Sequence, residues 1–491
     1  MPKFHAQRIT DAVHGTFGIS AVEADIISTR VFQRLHNVKQ LGLAHLVYPD
    51  LNYSRFAHSL GACHVVSRMI RAINLNCPHK QLPENDHQLY RLAALLHDLG
   101  HYPFSHAMEH VVEEYYKRTS YLTAGRAQKI EQIDGNTLGD TTERAYFSHE
   151  ALGRHIIDED GELHAVLKKH SISREELKAA VSREQPGKLV SLVSSDLDCD
   201  RIDYLMRTAR HSGLPYGSVD IEYIIGQMCV DSNNHVCLTK KALRAADHLI
   251  VSRYFDYTQV VFHKTVVAFE EVLKKIICEL LERGQLDCSS TMIQKKINDG
   301  EFANFDDQFI IGKFRKILSD LNASSDSSLK TKIEAVLYRR PPKIVGRLER
   351  IRGRESQYRS EHRNLVRQIK EKINGWANRL NIPEDLWYVW EKYLPMTKIG
   401  SLVPISDIEK SVEEETAQGI HILTTDPSDI NSKSRLLVDY EHALSQKLSL
   451  SNLYMIRVYV HLSESENDAK RKQREIKQMI RDDLSDFPFS E

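Results

Sequence analysis

The chain lacks any cysteine pattern that would staple or metallate a small fold. Its seven cysteines, Cys63, Cys77, Cys199, Cys229, Cys237, Cys278 and Cys288, are odd in number and scattered, with no C-x-x-C among them. A disulfide framework and a zinc ribbon are therefore excluded, and the thiols read as reduced residues of a cytoplasmic protein. A surplus of charge is also missing, since 66 Lys and Arg stand against 67 Asp and Glu. Whole-molecule attraction to a polyanion is ruled out, leaving only local basic patches. No uncharged run reaches about eighteen residues, and Met1-Pro2-Lys3-Phe4-His5 carries no apolar core, so neither a membrane span nor a standard export signal is expected. The first three hundred residues contain no convincing run of alternating strands, and there is no internal repeat.

What is present is enough apolar residue, 41% of 491, for a main domain with one or two lobes. The stretch Leu92-Ala93-Ala94-Leu95-Leu96-His97-Asp98-Leu99-Gly100-His101 stands out. Apolar residues at helical spacing run into a helix end that carries His97 and Asp98, with Gly100 as a natural stop. His101 and His106 return just beyond it, so groups able to bind metal or move protons crowd into ten residues. Upstream, a hairpin is expected over 8 to 19 and a capped helix from Ser20 to about His36. A second helix should start at Ser54-Arg55 and run to about Ile73, and the His-Asp helix should span 86 to 99. The polar stretch 118 to 146 reads as a mobile loop or lid. From 189 to 207 a helical projection puts Asp196, Asp200, Asp203 and Arg207 on one face, with Asp198 pointing away; flanking residues are apolar enough to bury those carboxylates, which then need a cation.

After about residue 285 the chain turns polar. Residues 343 to 372 are rich in Arg interleaved with Glu and read as a solvated, ion-paired helix that also suits phosphate. Strands are expected at 420 to 423 and 453 to 460, with a helix from about 435 to 447 between them and a charged helix over 464 to 484. The expectation is a mostly α fold: a helical core over 1–285, a helical connector over 286–342 and a smaller α+β C-terminal lobe over 343–491.

Arg55-Phe56-Ala57-His58-Ser59-Leu60-Gly61, His97-Asp98-Leu99-Gly100-His101 and Asp198-Cys199-Asp200-Arg201-Ile202-Asp203-Tyr204 occur in that order. With them the chain resembles the HD-domain phosphohydrolases, most of all their deoxynucleoside triphosphate triphosphohydrolase branch, over about residues 8 to 280. The resemblance implies an HD-domain helical core in which His58, His97, Asp98 and Asp200 bind a divalent transition metal. Mixed imidazole and carboxylate ligation suits Fe, Mn, Zn, Ni or Co equally, with Mg²⁺ on the substrate phosphates. Such a metal acidifies water towards a pKa of about 7 and polarises a phosphoryl oxygen. His101, His106 and His149 follow at the family's spacing. Glu150 and Glu109 would fix the tautomers of His101 and His106, and His106 would be the acid that protonates the leaving oxygen. Arg55, Arg201 and Arg253 would hold phosphates, and Gln40, Leu41 and Tyr204 would contact sugar and base.

Two departures loosen sugar recognition: Thr208 replaces an Asp that animal members place on the 3′-hydroxyl, and Val261 replaces a Tyr beside the ring. Ser28 and His36 replace an acid and an arginine at their guanine-reading site, while Gln33 is kept. The implied activity is hydrolysis of (deoxy)nucleoside triphosphates to nucleoside and inorganic triphosphate, by a homodimer or homotetramer. The alternatives are a nuclease or phosphodiesterase acting on single-stranded nucleic acid or a signalling nucleotide, and a nucleotide-sensing regulatory subunit.

Overall fold

The computed structural model describes residues 7–127, 146–181, 189, 192–193, 195–320, 326–398, 419–462 and 466–485. Strands β1 (Gln7–Asp11) and β2 (Gly15–Ile19) form the expected antiparallel hairpin, Ile9 opposite Phe17. Helix α1 (Ala21–Ile27) starts on a capping box built by Ser20 and Glu23. It ends nine residues earlier than expected. Ser28 and Thr29 hydroxyls donate to the carbonyls of Ala24 and Ile26, satisfying the last turn and stopping the helix.

The core is helical. Helix α2 (Arg55–Asn76) begins at the N-cap Ser54 and packs on α3 (Glu84–Leu96), whose residues from Leu92 to Leu96 are buried. Helix α3 closes at Leu96, one turn before the expected end, so His97 is its C-cap. Gly100 has another duty: a Cβ there would lie 2.1 Å from the His149 carbonyl oxygen and 2.3 Å from the Gly153 nitrogen. It is the gap that lets α5 (His149–Glu159) close on this turn, while α4 (His106–Ala127) leads away from it. Helix α4 extends through Arg118–Ala127, where a loop was expected; the remainder of that loop, 128–145, lies outside the described residues.

Helix α6 (Cys199–Ser212) begins ten residues later than its projection suggested. Asp198 is its N-cap and accepts the Arg201 backbone N–H, because a short acceptor before the first turn satisfies an otherwise orphaned donor. Helices α7 (Leu243–Asp256) and α8 (Lys264–Glu282) follow, joined by the five-residue π-helical turn Tyr257–Val261.

Between α6 and α7 lie two unexpected strands, β3 (Met228–Val230) and β4 (Val236–Leu238), too short to show alternation in sequence. The expected charged helix over 343 to 372 splits into strand β5 (Lys343–Gly353) and helix α9 (Ser356–Leu380). A β-bulge between Ile344 and Gly346 breaks the alternation that would have marked the strand. Strand β6 (Trp387–Pro395) follows. Strands β7 (His421–Leu423) and β8 (Ser434–Leu436) come next, the latter inside the helix expected over 435 to 447. A short helix at Leu444–Ser449 is all that forms there. Strand β9 (Ser451–Val460) is the centre of the sheet β5-β9-β6, and β7 pairs parallel with β4 to complete the sheet β3-β4-β7-β8. One face of β9 (Leu453, Met455, Tyr459) packs on the main core. The other face (Ile456, Val458, Val460) packs under α9 and the terminal α10 (Glu466–Asp483).

Candidate metal centre and adjoining histidine group

Three segments far apart in sequence meet at one point. His58 stands one turn into α2, His97 and Asp98 at the end of α3, and Asp200 in the first turn of α6. One ligand atom each from His58, His97 and Asp200 lies within 4.8 Å of the others. His58 Nε2 is 3.0 Å from Asp200 Oδ1 and 3.6 Å from Asp98 Oδ2, while His97 Nε2 is 3.3 Å from Asp98 Oδ1 and 3.9 Å from Asp200 Oδ1.

The outward nitrogens fix which way the imidazoles present themselves. His97 Nδ1 is 2.7 Å from the Ala94 carbonyl, and His58 Nδ1 is 2.7 Å from the Asp203 carboxylate. A carbonyl and an ionised carboxylate only accept, so each Nδ1 carries the hydrogen and each Nε2 turns a lone pair inward. Both Nε2 atoms are buried and without a hydrogen-bond partner. Two inward lone pairs with the buried Asp98 and the part-exposed Asp200 carboxylates form a donor set that a divalent cation satisfies.

Electrostatics agree with that balance. Burial would raise the Asp98 and Asp200 carboxyls, but Arg55, His97 and His101 beside the first, and His58 and His97 beside the second, hold both well below the usual carboxylate range. Burial would lower His58, yet Asp200 and Asp203 push it up to about 10. The cluster binds positive charge, as protons when no ion is supplied.

Asp203 is the carboxylate of the acidic stripe whose partner the sequence left open. It does lie deep in the acidic stripe of α6, but the cation it answers to is Arg207, which grips both its oxygens at 2.9 Å and also reaches Asp11 at 2.8 Å. His14, from the hairpin, adds a contact of 2.6 Å to Asp203. Gly61 makes room for this network, because a Cβ there would sit 1.8 Å from Asp203 Oδ1. His14 is 189 residues away in sequence, and nothing local marks it.

A second group of histidines lies beside the first. His101, His106, Glu109 and His149 also bring ligand-type atoms within 4.8 Å. Glu109 is shared: it accepts from His106 Nδ1 at 2.9 Å, from the His149 backbone N–H at 2.7 Å and from His149 Nδ1 at 3.0 Å. Burial opposes its ionisation, yet His149 and His106 hold its carboxyl far below the usual range. Burial also opposes charge on His149, and Glu109 with Asp98 and Glu150 outweighs it and raises its basicity. Glu150 does not fix His101 as expected; His101 Nε2 faces Asp98 Oδ1 at 3.1 Å, and its ring stacks on His149 at 3.8 Å. Burial and Arg55 lower the His101 imidazole well below its ordinary value, so it is neutral.

The turn that carries these residues is clamped. Phe104 and Ser105 take φ values of 56° and 57°, costly for residues with a Cβ. Asp307 accepts the Phe104 N–H at 2.7 Å, and the Ser105 hydroxyl donates to Lys39 at 2.8 Å. Arg34 donates to the carbonyls of Leu99, His101 and Phe305. Neither Arg34 nor Asp307 was singled out in the sequence, because their partners are backbone atoms of distant segments.

The remaining predicted residues border this centre. Arg55 is 2% exposed and already committed to Asp98 at 2.5 Å and Ser105 at 2.8 Å, so it is a partner of the carboxylate before it is an open cation. Arg201 is held by Asp198 and the Ser195 carbonyl. Arg253 leans on Asp196, its NH1 3.3 Å from the carbonyl oxygen. Gln40 Oε1 and the Tyr204 hydroxyl are buried with no hydrogen-bond partner, while Leu41 packs on the Ala44, Leu51 and Tyr53 cluster. Thr208 has turned to Tyr53, 2.7 Å from its hydroxyl.

The fold and the donor set define a class: a helical domain with a mixed imidazole and carboxylate site for a divalent cation. A family model described as HD domain matches residues 55–206, the stretch that carries His58, His97, Asp98 and Asp200. It is 34% identical to Bacillus subtilis YwfO over 255 residues, 52% of this chain and 51% of that one. It is 27% identical to the bovine deoxynucleoside triphosphate triphosphohydrolase SAMHD1 over 265 residues, 48% of this chain and 40% of that one. The chain spans about half the length of the curated relatives it matches. A solved structure of a Bacteroides thetaiotaomicron phosphohydrolase shares the fold with a TM-score of 0.65 and 21% identity, covering 92% of this chain and 99% of that one. A hypothetical protein from Aquifex aeolicus does so with a TM-score of 0.63 and 23% identity, covering 96% and 99%. Among the described residues, no helix is long and apolar enough to cross a membrane.

Proposed function

We propose that the protein is a metal-dependent phosphohydrolase that cleaves nucleoside triphosphates, deoxynucleotides among them, to nucleoside and inorganic triphosphate. The observation that carries this reading is the pair of buried, unpartnered Nε2 atoms of His58 and His97 facing Asp98 and Asp200. A divalent cation bound there supplies Lewis-acid polarisation of a phosphoryl oxygen and acidifies solvent at its open positions.

The chain's own residues do the rest. Asp203 and the Ala94 carbonyl keep both imidazoles in the ligating tautomer. Arg201 and Arg253 neutralise the phosphates, with Arg55 steadying Asp98. His106, whose side chain is 39% exposed and whose Nδ1 is held by Glu109, is the acid that gives a proton to the leaving oxygen. Tyr204, Gln40 and Leu41 border the sugar and base. With Thr208 turned to Tyr53, nothing from that position reads the 3′-hydroxyl, so a sugar altered or extended on its 3′ side is not rejected there. The names of the SAMHD1 relatives support the substrate class.

The test is purified full chain with Mn²⁺ or Mg²⁺, offered each dNTP and NTP and a labelled single strand, with products resolved. Inorganic triphosphate with free nucleoside is expected. Mononucleotides from the strand, with every triphosphate intact, would overturn the substrate class.

A further inference from the structure

The second cluster of unsatisfied polar groups lies far from the metal centre in sequence, under the start of α9. On the face of the sheet β5-β9-β6 that α9 covers, Arg350, Tyr454 and Tyr393 stand side by side on one rung of three strands. The helix lowers Arg359 and His362 onto them. The Arg359 guanidinium is 5.3 Å from the Tyr393 ring centre, and the His362 ring is 5.5 Å from that of Tyr454. His362 is 3% exposed. Asn452, on the next rung, spends its amide on the Tyr393 hydroxyl at 3.1 Å.

Most of the unpaired atoms here are nitrogens, with the Tyr454 hydroxyl and Asn452 Oδ1 unpaired beside them. Arg350 Nε, Arg359 Nε and His362 Nδ1 are shielded from water and have no hydrogen-bond partner. The two guanidinium Nε atoms always carry a hydrogen, and buried donors are normally satisfied. The nearby carboxylates do not reach them. Glu361 stands 3.8 Å from Arg350 NH2 with its side chain 54% exposed, and Glu391 meets only the other nitrogen of His362, at 3.5 Å. Glu391 also lines an open cleft of about 510 Å³ with Arg363, Arg367 and Lys370. That volume is in the range of small-molecule sites.

We propose that this cluster is a binding site for a small phosphate anion, the terminal group of inorganic polyphosphate or of a nucleotide whose remainder lies in the cleft. Arg350 and Arg359 donate to its oxygens, a charge-assisted arrangement for which the guanidinium fork is suited, and His362 walls the site. A single terminal phosphate fits donors roofed by a helix, whereas a continuous nucleic-acid backbone needs an open groove. The site is independent of the reading given for the metal centre.

Calorimetry on the full chain tests it, with inorganic tripolyphosphate and ATP as separate probes. Two binding steps are expected, one at each site. The double variant Arg350→Gln/Arg359→Gln loses the lobe step, its Kd rising about tenfold or more. Arg201→Gln loses the other step and leaves the lobe step in place, so failure of the phosphohydrolase reading leaves this result intact. Should the double variant unfold, Glu361→Gln still decides the matter: removing an exposed carboxylate beside Arg350 tightens the lobe step about threefold. A probe bound by ATP but not by tripolyphosphate identifies the nucleotide as the source, and equal binding of both identifies the phosphate chain. Unchanged binding in the double variant and in Glu361→Gln overturns the site, as does a lobe that takes an oligo-dT strand and neither small anion.

Discussion

The two histidine groups of the core touch each other, use the same residue type and differ in what their second nitrogen meets. His58 and His97 each surrender Nδ1 to a separate fixed acceptor, so their Nε2 atoms are bare and inward. His106 and His149 share one carboxylate, Glu109, and His106 opens to solvent. The first arrangement can only receive a cation. The second holds a proton that an incoming group can take. The lesson is that imidazole duty is set by its hydrogen-bond partner and exposure, a property that spacing in a motif does not record.

Breaking the first group is expected to have the largest effect. His97→Ala removes an inward lone pair and should lower turnover about 10³-fold or more, the several kcal/mol that metal catalysis supplies, with little change in circular dichroism. His106→Ala breaks the second group instead. Turnover should fall about 10²- to 10⁴-fold with metal content unchanged, and a metal loss equal to that of His97→Ala would erase the distinction between the groups. Asp203→Asn sharpens the comparison from outside: the His58 tautomer loses its anchor, and metal affinity should drop about 10- to 100-fold as read by competition with a chelator. The same change leaves Arg207 with only Asp11, so the variant should also melt earlier.

The smallest effect concerns a carboxylate without such partners. Asp256 accepts the Tyr216 hydroxyl at 2.6 Å, but burial outweighs that bond and the field of Arg253 and pushes its carboxyl up to about 7. A carboxyl raised in the fold destabilises it once ionised. Its penalty is absent below the ordinary value of 3.8, grows as pH rises and is complete above about 7. Asp256→Asn should therefore raise the melting temperature at pH 8 by a few degrees relative to wild type and leave it unchanged near pH 4, in thermal scans at both values.

The sequence carried the metal-centre residues well because each belongs to a short run with strong local signals: Arg55 to Gly61, His97 to His101, and Asp198 to Asp203. The helices that deliver them were also readable from apolar periodicity. What was illegible depends on partners chosen in three dimensions. Asp203 read only as one of several carboxylates in need of a cation, and that its cation is Arg207, with His14 beside it, shows only in the fold. Arg34 and Asp307 act on backbone atoms, which leave no pattern. Strands β3, β4 and β8 have three residues each, below any periodicity, whereas β7 was read from Ile420 to Leu423, and β5 was hidden by its Arg and Glu content and its bulge. Glu150 was paired with His101 through the family resemblance, whereas Asp98 is the carboxylate that faces His101 in space.

The central claim is that one divalent cation is held jointly by side chains from α2, the end of α3 and α6. Its most direct test is equilibrium titration of the full chain with Mn²⁺, beside His58→Ala and Asp200→Asn measured in the same way. The account predicts one tight site per chain in the wild type, weakened at least about 100-fold in each variant. Equal stoichiometry and affinity in all three proteins would contradict it.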